Sequence, residues 1–131
     1  MPRPSLSSPD DLVAIPGLSQ VAAIPAGSLV WTSGQVALRP DGSLAADDWE
    51  GQARQVFENL GRALRAGGAD WPDVVKLTIF VVDTSALDTV RRVRDEFVAT
   101  ERPPTSTLVQ VAGLARPDLL VEVEAVAWTA G

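Results

Sequence analysis

The strongest constraint on the fold is a run near the end of the chain in which apolar residues recur at every second position. One face of this run is wholly apolar and consists of Val121, Val123, Ala125 and Ala127. The opposite face carries the two carboxylates of Glu122 and Glu124 beside the indole of Trp128. Side chains alternate between faces along an extended strand, so this pattern predicts a β-strand that packs on a core by one face only.

A hydroxyl-rich segment, residues 103–111, precedes this strand. It opens with Pro103 and Pro104, which favour an extended entry and leave the N–H groups that follow free to bind something. Residues 113–118 supply the turn chemistry between the two segments. We interpret them as a terminal strand pair that holds a carboxylate near backbone donors, and we expect any site to lie there.

Three further strands are predicted earlier in the chain. Residues 21–24 and 29–38 have strand patterns, and residues 25–28 have the length and composition of a hairpin connection. Glycine is unusual inside a strand, so Gly34 indicates a bulge, a close approach by another backbone or a ligand, or a strand that ends early. Residues 74–82 are rich in β-branched side chains and are predicted to form the central strand.

Two helices are predicted from apolar residues that recur three and four positions apart. Asp47 and Glu50 form a capping box that begins the first helix. Its apolar stripe consists of Trp49, Ala53, Val56, Phe57, Leu60, Ala63 and Leu64. Thr84 or Ser85 caps the second helix. Its stripe consists of Leu87, Val90, Val93, Phe97 and Val98. The charged residues of the second helix, Arg94 among them, are expected in solvent.

The resulting order, ββαβαββ, predicts an α+β domain over residues 12–131. Right-handed crossovers would place both helices on one face of the sheet and leave the other face bare. That bare face would carry Trp31 and Trp128, and an apolar face of this kind is typical of an interface between copies. We therefore predict a homo-oligomer. Residues 1–11 are rich in proline and serine and are expected to be flexible.

Composition excludes several classes of function. The formal net charge is −6, which disfavours a nucleic-acid partner because phosphate binding needs a basic surface. The chain has no cysteine and no histidine, so thiolate nucleophiles, imidazole bases and the usual zinc sites are excluded, and we expect no metal or other cofactor. Its apolar runs are too short to cross a bilayer, and its start lacks a signal-type apolar block, so a cytoplasmic location is expected.

Four segments in a fixed order connect the chain to a known family. They are Thr32-Ser33-Gly34-Gln35 and residues 52–60, 75–81 and 120–127. Together they resemble the RidA family, also called YjgF, over residues 18–128. The resemblance implies a chorismate-mutase-like fold, a homotrimer whose sheets form a central barrel, and small-ligand clefts between subunits. It also implies hydrolysis of reactive imines and enamines, without a cofactor, to 2-oxo acids and ammonia.

The resemblance also implies site residues, and two of the family's four pocket groups are kept. The glutamate that orients or activates the attacking water falls on Glu122, and the pocket serine falls on Ser33. The arginine that binds the substrate carboxylate falls on Ser106, and a pocket tyrosine falls on Leu18. The expected ligand-binding residues are therefore Ser33, Ser106, Thr107, Leu108 and Leu18, with Glu122 as the catalytic group.

Loss of the arginine changes the expected substrate. A bidentate arginine–carboxylate contact contributes roughly 1.5–3 kcal/mol, so its absence costs at least about tenfold in affinity. The carboxylates of Glu122 and Glu124 would also repel a 2-imino acid. Arg102 and Arg116 are the nearest arginines in the sequence and would need a different geometry to replace it. We expect poor activity on the usual iminobutanoate and iminopropanoate.

Three functions stay open on the sequence. The first is a hydrolase for a small imine or enamine without the usual carboxylate, with Glu122 handling water. The second is a non-catalytic trimeric protein that binds a metabolite in the same clefts. The third is the ribonuclease role sometimes attached to the family, which the negative charge disfavours. A simpler interpretation of Glu122 and Glu124 is that they are solvated or pair with arginines across the trimer.

Overall fold

Two α-helices and six strands follow one another along residues 2–131, which are the part of the chain that this computed structural model describes. The strands are β1 (Ser5–Ser7), β2 (Val21–Ala23), β3 (Ser28–Trp31), β4 (Val74–Val81), β5 (Thr105–Gln110) and β6 (Val121–Thr129). The helices are α1 (Trp49–Ala66) and α2 (Leu87–Asp95), with short 3-10 turns before β4 and before α2. The predicted mixture of two helices and a sheet is confirmed.

The main sheet has four strands in the order β3-β6-β4-β5. Strand β6 is antiparallel to both of its neighbours, whereas β4 and β5 are parallel and are joined through α2. Strands β1 and β2 form a separate antiparallel pair. The interior positions of β4 and β6 explain their apolar composition, since both edges of each strand are paired.

Two predicted strand pairings are wrong. Strands β5 and β6 are not neighbours, because β4 lies between them, and β2 pairs with β1 rather than with β3. The helical crossover fixes β5 parallel to one edge of β4, so β6 takes the other edge. Period-two patterns identify strands and their buried faces, but they carry no information about which strands are neighbours.

Both helices pack on the same face of the main sheet, as predicted. One core cluster joins the two helical stripes to the apolar odd-numbered residues of β6 and to four residues of β4, which are Val74, Leu77, Ile79 and Val81. Its centre includes Phe57, Leu60, Leu77 and Val121, all with no exposed surface. The ring of Phe57 stacks on Phe97 at a centroid distance of 5.6 Å.

The helix starts and the burial of Arg94 differ from the sequence predictions. Asp48 caps α1 instead of Asp47, and its side chain accepts a hydrogen bond from the Gly51 N–H. The N-cap of α2 is Ala86, which makes no side-chain capping bond, rather than Thr84 or Ser85; these two residues lie in the preceding 3-10 turn, which Asp83 caps. Arg94 is only 5% exposed and not solvated, because it continues the stripe of Leu87 and Val90 at the next turn. Gln52 is likewise fully buried.

The face of the sheet opposite the helices is only partly bare. Trp31 is 67% exposed on this open face, whereas Trp128 is 3% exposed. The indole N–H of Trp128 donates to the Ala26 carbonyl, and the Arg3 guanidinium lies 5.9 Å from its ring. The prediction of exposure is therefore right for Trp31 and wrong for Trp128, because Ala26 and Gly27 of the connection between β2 and β3, together with the Arg3 side chain, lie against the latter.

The N-terminal segment contributes a strand that the sequence did not indicate. Leu6 in β1 is paired with Ala22 in β2, and Arg3 forms an ion pair with Asp73 at 3.2 Å. Flexibility of residues 1–11 and a domain boundary at residue 12 stay predictions, and residue 1 lies outside the described part. Among the described residues, no helix has the length and apolar character needed to cross a membrane.

Candidate functional site

A β-bulge follows β3 at the Ser-Gly pair. The Thr32 N–H donates to the Ala125 carbonyl at 3.0 Å, and Gln35 exchanges two backbone hydrogen bonds with Val123 at 2.8 and 3.1 Å. Ser33 and Gly34 together therefore face the single intervening residue of β6. A bulge re-aims the side chains next to it. Of the alternatives predicted for Gly34, the bulge agrees with these hydrogen bonds, and β3 also ends early, at Trp31 instead of residue 38.

The group that approaches Gly34 is the carboxylate of Glu122. A Cβ placed on Gly34 would lie 2.3 Å from Glu122 Oε2 and 2.7 Å from its Cδ. The backbone angle φ of Gly34 is not positive, so the site needs glycine for its small size and not for its conformational freedom. The carboxylate rests directly on the bulge beside Ser33. We call Ser33, Gly34 and Glu122 the carboxylate cluster.

Glu122 is half-buried and has no partner among the residues that the structure describes. Among residues 2–131, its carboxylate forms neither an ion pair nor a hydrogen bond, and the same holds for Glu124. No buried side-chain oxygen of the described residues lacks a partner, so the Glu122 oxygens are open to solvent. The simpler interpretation, that Glu122 and Glu124 are solvated or pair with arginines across the trimer, stays a prediction. The carboxylate is free to contact water or a ligand.

The residues predicted on β5 divide between its two faces. Ser106 lies opposite Leu77 on the helix-covered side, and Leu108 packs against the core there. Thr107 lies opposite Thr78 on the open face, where its Oγ1 accepts a hydrogen bond from Lys76 Nζ at 2.6 Å. The contact with Lys76 was not expected from the sequence. It could have been found from the period-two pattern of β4, which sets Lys76 on the uncovered face.

The outer edge of β5 presents backbone donors, as the two prolines suggested. The Pro104 carbonyl accepts from the Ser19 N–H at 3.0 Å on the outer side, and the Val111 N–H donates inward to the Val81 carbonyl at 2.8 Å. Backbone groups alternate along a strand, so even-numbered residues of β5 point outward. Beyond Ser19 the outward N–H of Leu108 lies on an unpaired strand edge.

Leu18 lies at the start of the same edge. The adjacent Ser19 bridges to Thr105, and its hydroxyl donates to the Pro103 carbonyl at 2.6 Å. Leu18 is half-buried. Leu18, Ser106 and Leu108 therefore belong to one neighbourhood, which we call the β5 edge.

The carboxylate cluster and the β5 edge are separated within one chain. Strand β4 lies between β6 and β5, and neighbouring strands are about 4.8 Å apart, so the two strands are about 10 Å apart. Glu122 is registered with Phe80 on the open face, whereas Ser106 is registered with Leu77 on the covered face. The predicted residues of β5 and β6 thus divide between the faces of the sheet, with Glu122 and Thr107 on the open face and Ser106 and Leu108 on the covered face.

Neither of the arginines nearest in sequence replaces the missing one within the chain. Arg102 donates to the Pro4 carbonyl, and Arg116 pairs with Asp118 at 2.6 Å and donates to the Gly42 carbonyl at 2.9 Å. The hydrogen bond from Arg116 holds the pKa of Asp118 below its ordinary value. Both guanidinium groups are committed to loop contacts away from the carboxylate cluster.

The fold and the bulge over a free glutamate define a member of the Rid family. The family described as Endoribonuclease L-PSP matches residues 9–129, and the chain belongs to it. The 2-iminobutanoate/2-iminopropanoate deaminase of Salmonella typhimurium is 36% identical over 109 residues, covering 82% of this chain and 84% of that protein. The resemblance to the RidA family is confirmed.

Solved structures agree with this assignment. A Rid family protein of unknown function from Yersinia pestis, YyfB, has a TM-score of 0.85 at 29% identity and covers 97% of this chain and 99% of its own. Escherichia coli TdcF, solved with bound serine, has a TM-score of 0.70 at 31% identity and covers 94% of this chain and 93% of its own.

Proposed function

We propose that the chain is a Rid-type deaminase that hydrolyses a small reactive imine to a carbonyl compound and ammonia without a cofactor. The observation that carries this proposal is the Glu122 carboxylate, which rests on Gly34, remains unpaired and is open to solvent. Sequence similarity to an enzyme named 2-iminobutanoate/2-iminopropanoate deaminase supports the reaction class. A cytoplasmic location remains part of the proposal.

The chemistry needs little beyond a positioned carboxylate. Glu122 accepts a proton from water as the water oxygen bonds to the imine carbon, which gives a tetrahedral amino alcohol. The imine nitrogen takes up the proton held by Glu122 in this step. The carboxylate then transfers the hydroxyl proton of the amino alcohol to the same nitrogen, so the C–N bond breaks and ammonia leaves as the carbonyl forms. An imine is already electrophilic, so orientation of the water accounts for most of the required catalysis.

We further propose that the working unit is a homotrimer with clefts between subunits. In each cleft the carboxylate cluster of one subunit would face the β5 edge of another, which explains why these groups lie apart within one chain. The exposed Trp31 and Leu29, at 67% and 45%, supply apolar surface for such contacts. The outward N–H of Leu108 would then bind developing negative charge or an anionic substrate group.

The substrate is proposed to differ from the usual 2-imino acids. The arginine position falls on Ser106, whose hydroxyl has neither the charge nor the bidentate geometry of a guanidinium. Serine bound to TdcF shows that a relative accommodates a small amino acid, but here a carboxylate would meet only neutral donors at the β5 edge. We therefore propose an imine that lacks the carboxylate or bears it elsewhere.

The absence of the substrate-binding arginine favours one alternative, a non-catalytic protein that binds a metabolite in these clefts. Without the guanidinium, binding could persist while turnover of the usual substrates is lost. The family description also contains the word endoribonuclease, but a net charge of −6 opposes binding to a polyanion. We rank RNA cleavage last for this reason.

Release of ammonia from imines generated in situ distinguishes these functions. An amino-acid oxidase supplies imines with a carboxylate, and an amine oxidase supplies imines without one. We expect turnover that Glu122→Gln lowers at least about a hundredfold, because the proton acceptor is lost. The matched control is Glu124→Gln, the neighbouring unpaired carboxylate on the same face. Absence of turnover with every imine would reject the deaminase and favour the binding protein.

Sharing of the site between subunits has its own test. Glu122→Gln chains and chains altered at the β5 edge by Leu108→Pro, which removes the outward N–H, should each be inactive alone. When the two are refolded together, some clefts combine an intact carboxylate cluster with an intact β5 edge, and activity should return. Failure to recover activity in mixed oligomers would contradict the shared cleft while leaving the deaminase proposal intact.

A further inference from the structure

A groove of about 800 Å³ lies outside the proposed cleft, between the loop after the bulge and the outer face of α1. Its lining includes Arg39 and Arg62 together with the amides of Gln55 and Asn59. No aspartate or glutamate lines it, and neither do Glu122 or the residues of the β5 edge. The groove is therefore a separate feature with a positive lining.

The two arginines of the groove form no ion pair among residues 2–131. Six other arginines form ion pairs with carboxylates: Arg3, Arg54, Arg65, Arg92, Arg94 and Arg116. Within residues 2–131, Arg39 and Arg62 have no carboxylate within 4.0 Å. Arg91 and Arg102 also lack an ion pair in that range but lie outside the groove. The hydrogen bond from Ser43 lowers the pKa of the Asp41 carboxyl, and Arg39 adds to this effect only at longer range. Two guanidinium groups in a groove that no carboxylate of residues 2–131 lines form a positive site in a chain of net charge −6.

Hydrogen bonds hold both guanidinium groups in place. Arg39 donates to the Leu44 carbonyl at 2.8 Å and to the Ala45 carbonyl at 3.2 Å. Arg62 donates to Asn59 Oδ1 at 2.8 Å, and the Asn59 amide donates in turn to two carbonyls of the loop at 3.0 Å each. A guanidinium carries five N–H donors, so each arginine keeps donors for a ligand. The positions are set before any ligand arrives, which lowers the entropic cost of binding.

We infer that this groove binds a small metabolite that carries a phosphate group. Two guanidinium groups with unused donors match a dianion better than a single carboxylate, and the fork of arginine suits phosphate oxygens. The side chains of Leu38, Pro40 and Ala63 provide apolar surface for the rest of the molecule. A volume of about 800 Å³ lies within the usual range for small-ligand sites.

Phenyl phosphate, benzoate and benzyl alcohol are the probes for this site, since they share one ring and differ in charge. We expect saturable binding of phenyl phosphate in calorimetry, weaker binding of benzoate, and none of benzyl alcohol. Arg62→Gln should weaken phenyl phosphate binding about tenfold or more, which is the loss of one charge-assisted contact. Arg91→Gln is the matched control, because Arg91 is an exposed arginine of α2 outside the groove.

Amide chemical shifts provide a second measurement that does not depend on any variant. Phenyl phosphate should shift the amides of residues 35–40 and 55–63 in the wild-type oligomer. Absence of saturable binding, equal losses in Arg62→Gln and Arg91→Gln, or shifts confined to other regions would each overturn the proposal. Tighter binding of benzoate than of phenyl phosphate would overturn the assignment of phosphate.

Discussion

Replacing Gly34 with alanine tests whether the position of the Glu122 carboxylate governs turnover. The new Cβ would lie 2.3 Å from Oε2, whereas ordinary van der Waals contacts begin at 3.4 Å. The carboxylate must therefore move by about 1 Å or rotate away from the bulge, at a cost of order 0.5–1.5 kcal/mol for a distorted rotamer. A displacement of 1 Å in a catalytic group can lower a rate by about a hundredfold.

The structure predicts a large loss of activity with a small loss of stability. Glu122 is half-buried and its oxygens reach solvent, so the side chain can swing outward and relieve the clash. We expect the rate of ammonia release to fall about a hundredfold, while the free energy of unfolding falls by no more than about 1.5 kcal/mol.

Gly113→Ala is the matched control for this variant. A Cβ on Gly113 meets no atom within 4 Å, and its φ is not positive. Ammonia release and urea unfolding are measured for both variants and for the wild type. Wild-type turnover in Gly34→Ala, or an equal fall in Gly113→Ala, would refute the reasoning.

Three further predictions concern the substrate, the core and acid stability. Ser106→Arg should gain activity on 2-imino acids in the oxidase-coupled assay, and no gain would contradict the assignment of Ser106 to the arginine position. Gln52→Ala should lower the free energy of unfolding by about 2–4 kcal/mol in urea titrations, because it leaves the Asp118 carbonyl and the Leu120 N–H unsatisfied inside the protein. A loss below about 1 kcal/mol would show that water replaces both hydrogen bonds. The hydrogen bond from Arg92 holds the pKa of Glu50 below its ordinary 4.5, so this link between α1 and α2 is present above that pH and is lost as the pH falls through the lowered value. The melting temperature of wild type should therefore exceed that of Glu50→Gln at neutral pH and converge with it in acid; a constant difference would reject this account.

Local pattern predicted the parts of the fold that local physics controls. The stripe of α1 and the apolar face of β6 are buried as expected, because burial follows the helical and strand periods. Arg94 is the instructive exception. Its spacing from Leu87 and Val90 places it on the buried stripe, but its charge led to the opposite prediction, and its guanidinium lies against Gly17 under the N-terminal segment. Spacing was the better guide there.

Strand neighbours could not be predicted in the same way. Only a short turn separates β5 from β6 in the sequence, which favours a hairpin. In the sheet, however, β4 lies between the two strands. Pairing depends on where the crossover through α2 delivers β5, which is a property of the whole chain. As a consequence, the predicted proximity of Glu122 to the donors of β5 does not exist within one chain.

Gly34 combines a bulge with a close contact, and the contact is with a side chain rather than with the backbone or ligand expected from the sequence. In a regular strand, the register that pairs Thr32 with Ala125 would set Gly34 opposite Val123, on the covered face and away from Glu122. Because of the bulge, Gln35 lies opposite Val123 instead. Gly34 is the extra residue of the bulge, and the Glu122 carboxylate rests on it. The bulge and the close approach are therefore one feature. The bulge forms the backbone surface that contacts the Glu122 carboxylate, and glycine leaves this surface without a side chain. Gly34 and Glu122 must therefore act as a unit, whichever ligand the cleft binds.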